Sequence, residues 1–365
     1  MDEKIVSPEQ AFAMAIDAAE KAAPFVSPNP LVGCVVVDEN HNLLSIGYHT
    51  KYGSAHAEFE ALKNLKAEQL KNAIVYVTLE PCAHEGKTPS CAKMLAKLPI
   101  KKVIYGLQDP NPLVSGQGAE ILKQAGIEAT EYQGAMKAAL KDLCEVFLKN
   151  FRQKKLFIAA KIATSLDGQI ALKSGESRWI TGPDSRIQVH ALRARYDSII
   201  IGRNTIEVDD PSLDIRHDEI KKETKLIILD SSSKILRQIK EGKKFKFLNS
   251  HTNDNIYFAV SKIDLSLGYK QLVFNSLISL HQEMWKVGIR SAFIEGGAET
   301  YSRYLNENLI DRLHLFIAPS IIGAVRGLSW AQNVVTNALA DKKVMQNIRT
   351  DRFGDDIYIT GKFES

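Results

Sequence analysis

Three residue types at telling distances stand in the first third of the chain. His56-Ala57-Glu58 comes first, and Cys82 and Cys91 follow within Pro81-Cys82-Ala83-His84-Glu85-Gly86-Lys87-Thr88-Pro89-Ser90-Cys91. One imidazole and two thiolates make a soft-to-borderline ligand set that suits zinc and leaves a fourth position for water. Two thiolates also neutralise the dication and weaken it as a Lewis acid, so a base beside the water gains value. Glu58, two residues past the histidine, can reach that water without binding metal and can shuttle its protons. The alternative is a structural clasp with His84 as fourth ligand, which leaves Glu58 without a purpose. Cys34, inside an apolar run, and Cys144, on a helical pattern, read as packing thiols.

The second half carries a different set of strings. They are Ala160-Lys161-Ile162-Ala163-Thr164-Ser165-Leu166-Asp167-Gly168, Ser174-Gly175-Glu176-Ser177-Arg178-Trp179-Ile180-Thr181, Gly202-Arg203-Asn204-Thr205, Val208-Asp209-Asp210-Pro211-Ser212-Leu213 and Ile294-Glu295-Gly296-Gly297-Ala298-Glu299. No GxGxxG is present to support a Rossmann fold. In the last string a strand ends at Glu295, glycines let the backbone approach a ligand, and a helix begins whose free N–H groups suit a phosphate. Arg193 and Arg216 carry guanidinium groups, which bind phosphate in bidentate fashion. Asp167-Gly168 reads as a turn. Lys161, at a strand end, is equally a steering cation or a surface lysine.

These residues need a scaffold. Ser7-Pro8-Glu9-Gln10 is a capping box with proline in the first turn, opening a helix to about residue 23. Residues 31–37 form a β-branched apolar run that reads as a buried strand, with a second strand ending near residue 48. A helix over 56–65, a strand at 73–79, a short helix at 91–98 and a strand at 102–107 follow. Residues 120–124 fall in a helix, and a longer helix over 135–151 closes the half. Strands alternating with helices predict an α/β sandwich around one sheet. The charged break at 151–155 separates a domain over 1–150 from one over 154–365. The second restarts with strands at 156–163, 198–201, 225–229, 256–259, 292–294, 312–318 and 356–363, and with helices at 185–194 and 299–307. Residues 235–253, lysine-rich and weakly periodic, read as a solvated, variable region.

At 365 residues, 45% hydrophobic and 25% charged, the chain has room for two ordinary globular domains. No apolar run reaches membrane-span length, and no secretory signal is visible at the acidic start. Four cysteines do not suggest a disulfide scaffold, so a cytoplasmic enzyme is expected. A net charge of +4 suits anionic small molecules and falls short of a nucleic-acid binder's basic patch.

The H-x-E and later P-C pair is the pattern of zinc deaminases, although two residues lie between their cysteines and eight lie between these. That spacing, with Pro28-Asn29-Pro30-Leu31-Val32-Gly33-Cys34, Val77-Thr78-Leu79-Glu80-Pro81-Cys82 and Gln108-Asp109-Pro110-Asn111-Pro112, resembles the deaminase half of the bifunctional riboflavin-biosynthesis deaminase/reductase family. The order of the second-half strings resembles its reductase half. The resemblance implies a cytidine-deaminase-like α/β/α sandwich followed by a dihydrofolate-reductase-like α/β domain. It further implies a homo-oligomer acting on a phosphorylated pyrimidine with one zinc and NADPH, without nucleic-acid or membrane partners. Carried over by position, His56, Cys82 and Cys91 hold the metal and Glu58 is catalytic. Asn29, His49, His84 and Lys87 contact the deaminase substrate. Ala163, Trp179, Thr205, Asp209, Gly297, Ala298, Glu299, Thr300, Tyr301, Ser302 and Arg303 contact NADPH. Lys161, Ser177, Arg193, Leu213, Arg216 and Glu295 contact the reductase substrate. The family has glycine where Ala163 stands, which leaves less room at that contact.

Overall fold

The computed structural model describes residues 5–84, 89–111, 115–217, 220 and 222–363. The chain divides into two compact units, Met1–Lys154 and Lys155–Ser365. In the first, the elements run α1 (Pro8–Glu20), β1 (Gly33–Val37), β2 (Leu43–Tyr48), α2 (Ala57–Leu62), β3 (Ile74–Leu79) and α3 (Cys91–Leu95). After these come β4 (Lys102–Leu107), α4 (Gln117–Gln124), β5 (Glu128–Glu131), α5 (Lys137–Leu143) and α6 (Glu145–Gln153). The expected capping box forms: Gln10 N–H donates to Ser7 Oγ at 3.3 Å, and Ser7 N–H donates to Gln10 Oε1 at 2.9 Å. The single helix expected over 135–151 is two helices, parted at Cys144.

The sheet order is β2-β1-β3-β4-β5, with β3, β4 and β5 parallel and β1 antiparallel to both neighbours. β1 is buried on both faces, as its unbroken apolar run requires. Val35 and Val37 pack with Phe12 and Ala15 of α1 and Leu140 of α5. Cys34 and Val36 pack with Ala57 and Ala61 of α2, Leu95 of α3 and Leu122 of α4. Helices therefore cover both faces, and the ends of β3 and β4 open onto the loops that carry Cys82 and Asp109.

The second unit contains β6 (Phe157–Ser165), β7 (Gln169–Leu172), α7 (Pro183–Arg195), β8 (Ser198–Gly202), α8 (Arg203–Asp209), β9 (Lys225–Leu229), α9 (Lys234–Lys240) and α10 (Phe247–Ser250). It continues with β10 (Ile256–Val260), β11 (Lys270–Val273), α11 (Leu277–Lys286), β12 (Ser291–Ile294) and α12 (Ala298–Asn306). The chain ends in β13 (Arg312–Ala318), β14 (Gly327–Ser329), β15 (Met345–Phe353) and β16 (Asp356–Phe363). Nine strands lie in the order β11-β10-β9-β8-β12-β6-β13-β16-β15, parallel from β11 through β13 and antiparallel beyond. Along β8 and β9, Ile200 and Ile227 face one core, while Ile199, Ile201, Leu226 and Ile228 face another.

That second core corrects the reading of residues 235–253 as a solvated region. Ile235, Leu236, Phe245 and Phe247 are buried in it, on α9, α10 and the turn between them. Two short helices parted by a turn hide the periodicity, and Lys240 at the end of α9 with Lys243, Lys244 and Lys246 in the turn dominate the composition. Asp167 does make a turn with Gly168, and its carboxylate accepts the N–H groups of Ile322 and Gly323. Among the described residues no helix is long and apolar enough to cross a membrane.

Candidate active sites

The metal-type cluster forms where three elements end. His56 is the residue before α2, Cys82 follows β3 and Cys91 opens α3. His56 Nδ1 lies 3.5 Å from Cys82 Sγ and 3.4 Å from Cys91 Sγ. A tetrahedral zinc with ordinary bond lengths separates a nitrogen and a sulfur ligand by about 3.6 Å, so the trio fits that ion. Local hydrogen bonds set the cysteines: Ser90 Oγ donates to Cys82 O at 2.8 Å and Cys91 N–H donates to Cys82 Sγ at 3.3 Å. The Cys91 side chain and then His56 pull the Cys82 thiol well below its ordinary pKa, towards the thiolate that a metal needs. Among the described residues no fourth ligand joins the three.

A pocket of about 340 Å³ opens beside the cluster, lined among others by Asn29, His49, Glu58, His84 and Asp109. The Glu58 side chain is buried, and burial, then the Cys82 charge, raises its pKa to about 7. His49 is buried rather than on the surface. Its Nδ1 is 3.0 Å from Ala55 O and its Nε2 is 3.1 Å from Asn29 Nδ2. A proton on Nδ1 satisfies the carbonyl and leaves Nε2 to accept from the Asn29 amide; burial pushes the pKa down and favours this neutral form. His84 is exposed at the rim and outside the ligand trio, against the clasp reading. Lys87 lies outside the described residues.

Glu80 is a residue that the motif reading passed over. Buried at the end of β3, it accepts N–H groups from Asp109 at 3.2 Å, Gly116 at 3.0 Å and Ala119 at 3.3 Å. It thereby ties the loop after β4 beside the pocket and sets where Asp109 stands. Its signal was in the Leu79-Glu80-Pro81-Cys82 string, next to a metal ligand.

The second unit holds a larger pocket, about 1160 Å³, at the carboxyl ends of its parallel strands. Lys161, Ala163, Ser177, Trp179, Arg193, Thr205, Asp209, Leu213, Arg216 and Glu295 all line it, as do Gly297, Ala298, Glu299, Thr300, Tyr301 and Arg303. Ser302 does not: its hydroxyl is buried and accepts Asn333 N–H at 3.3 Å. Trp179 is 69% exposed and therefore not core, with the Arg186 guanidinium 4.5 Å from its ring centre. Ser177 Oγ donates to Asp209 Oδ1 at 2.9 Å, joining two of the strings. Gly296 and Gly202 are imposed from within: a Cβ on either would stand 2.7–2.8 Å from the Thr300 side chain. Gly297, just before α12, is looser: its would-be Cβ meets only Thr205 Oγ1, at 3.4 Å.

Glu295 is the electrostatic centre of this pocket. Arg193 Nε donates to its Oε1 and Arg193 Nη2 to its Oε2 at 3.0 Å, while Lys161 Nζ lies 3.4 Å from Oε2. Burial alone would raise this carboxyl, but the charges of Arg193 and Lys161 hold it at about 2. The Arg193 fork is thus filled by a carboxylate, with Nη1 on Asp214 O at 2.9 Å, and is not open to a phosphate. Arg216 is exposed and only loosely paired with Asp214 at 3.5 Å. His190, absent from the sequence reading, lines the pocket beside them; burial and then Arg193 and Arg216 lower its pKa to about 4, so it is neutral.

Both units match family models. Residues 6–107 match the cytidine and deoxycytidylate deaminase zinc-binding region, and residues 156–357 match the RibD C-terminal domain. The chain is thus a bifunctional enzyme, a deaminase domain of the zinc-binding type followed by a reductase domain. It is 37% identical to the riboflavin biosynthesis protein RibD of Haemophilus influenzae, covering 95% of each chain, and 33% identical to that of Escherichia coli, covering 88% and 90%. Among solved structures, Acinetobacter baumannii RibD matches with a TM-score of 0.81 at 32% identity, over 98% of this chain and 99% of the other. A Thermotoga maritima protein described as a diaminohydroxyphosphoribosylaminopyrimidine deaminase/5-amino-6-(5-phosphoribosylamino)uracil reductase matches with a TM-score of 0.84 at 30% identity, over 98% and 99%. The chain belongs to the RibD family of riboflavin biosynthesis proteins.

Proposed function

We propose that the N-terminal unit hydrolytically deaminates 2,5-diamino-6-(5-phosphoribosylamino)pyrimidin-4(3H)-one, and that the C-terminal unit uses NADPH to reduce the ribosyl group of the product to ribityl. The description of the Thermotoga maritima neighbour supports this substrate pair. The observation that carries the reading is Glu58, a buried carboxyl facing the same pocket as His56 and Cys82.

His56, Cys82 and Cys91 hold zinc, which when bound supplies Lewis acidity that makes water a nucleophile near neutral pH. Glu58 takes a proton from the attacking water and passes it to the ring nitrogen, then carries the remaining hydroxyl proton to the amine, which leaves as ammonia while the ring carbon becomes a carbonyl. Asn29 and His49, locked together, present a fixed polar edge to the pyrimidine, and His84 and Lys87 meet its phosphate arm. In the second unit Ala163, Trp179, Thr205, Asp209 and the start of α12 bind the cofactor. NADPH, when bound, supplies the hydride. The N-terminal amides of α12, at Gly297 to Thr300, suit one of its phosphates. Lys161 and Glu295 orient the opened sugar, Lys161 holding the proton that its oxygen takes up. Ser177 and Leu213 border the substrate, Arg193 fixes Glu295, and the exposed Arg216 meets the phosphate. A cytoplasmic, homo-oligomeric enzyme belongs to the same reading.

Incubating the full chain with the diaminopyrimidinone, without and with NADPH, and analysing the products by mass tests it. Deamination alone is expected without NADPH and the ribityl product with it. An unchanged substrate in both arms would overturn the reading.

A further inference from the structure

We infer that the Tyr301 hydroxyl ties Lys161 to the segment that carries Glu295, so that Tyr301 is a positioning residue for the reduction and not a contact of the cofactor. This rests on the reductase reading above and deepens it at the charged centre of the large pocket.

The lengths of the strands create the need for such a tie. β6 runs from Phe157 to Ser165, but β12 ends at Ile294, opposite Ala160. Lys161 is thus the first residue of β6 beyond that ladder, while β13 stays paired with β6 as far as Ser165. Glu295 turns the other way: its N–H donates to Ile200 O of β8 at 3.0 Å, and Gly296 and Gly297 then lead into α12. Lys161 and Glu295 approach to 3.4 Å through their side chains, yet both stand past the last paired residues of their strands. A lysine ammonium rides on a flexible four-carbon stem, so it is only as well placed as the backbone beneath it.

Tyr301 closes this gap. Its hydroxyl donates to Lys161 O, and the Gly296 N–H faces the phenol oxygen. One group thus joins the backbone of Lys161 to that of the residue after Glu295, and it supplies the partner that a buried carbonyl past the end of a ladder requires. Burial and then the Glu295 charge push the phenol's pKa up, so it keeps its proton and remains a donor. The residue is 3% exposed, and its ring packs in the core with Ala160, Ile162, Ile200 and Ile294, which leaves little of it for a cofactor to touch. The first turn of α12 is itself set tightly on the strand ends, because Gly202 and Gly296 pack against the Thr300 side chain without room for a Cβ. A hydroxyl held with so little freedom fixes the place of Lys161, and hydride and proton transfer are sensitive to small misplacements of the groups that take part.

Steady-state reduction of the deaminated substrate by the full chain, with NADPH affinity measured separately by calorimetry, tests this. Tyr301→Phe removes one oxygen and keeps the ring. Its kcat for reduction is expected to fall about ten- to hundredfold, with the NADPH dissociation constant within about twofold of the unmodified chain's. An unchanged kcat overturns the inference. Weaker NADPH binding with kcat kept at saturating cofactor also overturns it, since the hydroxyl would then be a cofactor contact. Hydrogen exchange on the unmodified chain gives a check that does not depend on the variant folding: the Gly296 amide is expected to exchange slowly, and exchange at the rate of a free loop removes the tie. If the unmodified chain does not reduce the deaminated substrate at all, the reductase reading fails and this inference with it.

Discussion

The two pockets fix their reactive groups by different means. In the smaller one the backbone does most of the work: Cys82 is held by Ser90 and by the Cys91 amide, His49 leans on a carbonyl, and Glu80 gathers three amides around Asp109. In the larger one charged side chains fix one another, with Glu295 forked by Arg193 and approached by Lys161. Losing a group of the first kind removes chemistry and leaves the scaffold. Losing one of the second kind strands a buried charge, and the fold itself suffers.

The sharpest way to break that distinction is at the metal ligands. Cys82→Ser should remove zinc, measured by metal analysis, and stop deamination, while reduction of the deaminated substrate stays measurable in the same protein. Loss of both activities in folded protein would mean that the units do not divide the chemistry as proposed. Glu58→Gln comes next, with zinc retained and deamination down by about 10²- to 10⁴-fold, because only the proton transfer is lost. Retained turnover would remove Glu58 from its role.

Glu295→Gln tests the other side. It leaves the buried Arg193 without its countercharge, and the expected cost is about 3–5 kcal/mol in unfolding of the second unit. The pH dependence has a definite sign. A carboxyl held at about 2 against an ordinary 4.5 contributes stability that is fully present above the unfolded value and lost as pH falls through about 2. The melting-temperature gap between Glu295→Gln and the unmodified chain should stay level from pH 7 to about 5 and narrow towards acid. A gap absent at pH 7 would show that the charges do not support one another.

The same contrast governs what could be read before any coordinates. The deaminase ligands sit in two short strings, and the strands beside them are β-branched runs such as Val35 to Val37, buried on both faces. The reductase pocket draws on segments from Lys161 to Gln332, and its most telling contact joins Arg193 to Glu295 across the fold, which spacing does not reveal. Three edge strands of the two large sheets carry little signal of their own for a related reason. β5, β11 and β15 read Glu-Ala-Thr-Glu, Lys-Gln-Leu-Val and Met-Gln-Asn-Ile-Arg-Thr-Asp-Arg-Phe, and β15 is exposed along nearly its whole length. Their neighbours make them strands, not their own hydrophobicity. Arg193 and Arg216 looked alike as phosphate ligands. Burial separates them: Arg193 is buried and forked onto Glu295, whereas Arg216 is exposed and only loosely paired with Asp214.

Trp179 offers the smallest and most discriminating test, because it stands in the charge-governed pocket without being buried. At 69% exposure its removal should leave unfolding within about 0.5 kcal/mol of the unmodified chain. The guanidinium groups of Arg186 and Arg178 lie 4.5 and 5.8 Å from its ring centre, and the residue lines the pocket. A stacked or edge contact between aromatic rings is worth about 0.5–1.5 kcal/mol, so Trp179→Ala should weaken NADPH binding about two- to tenfold. Quenching of tryptophan fluorescence by NADPH should shrink in the same variant. Weaker binding with unchanged stability assigns the ring to the cofactor. Unchanged affinity places the cofactor elsewhere in the pocket and leaves Trp179 as a partner of Arg186 and Arg178.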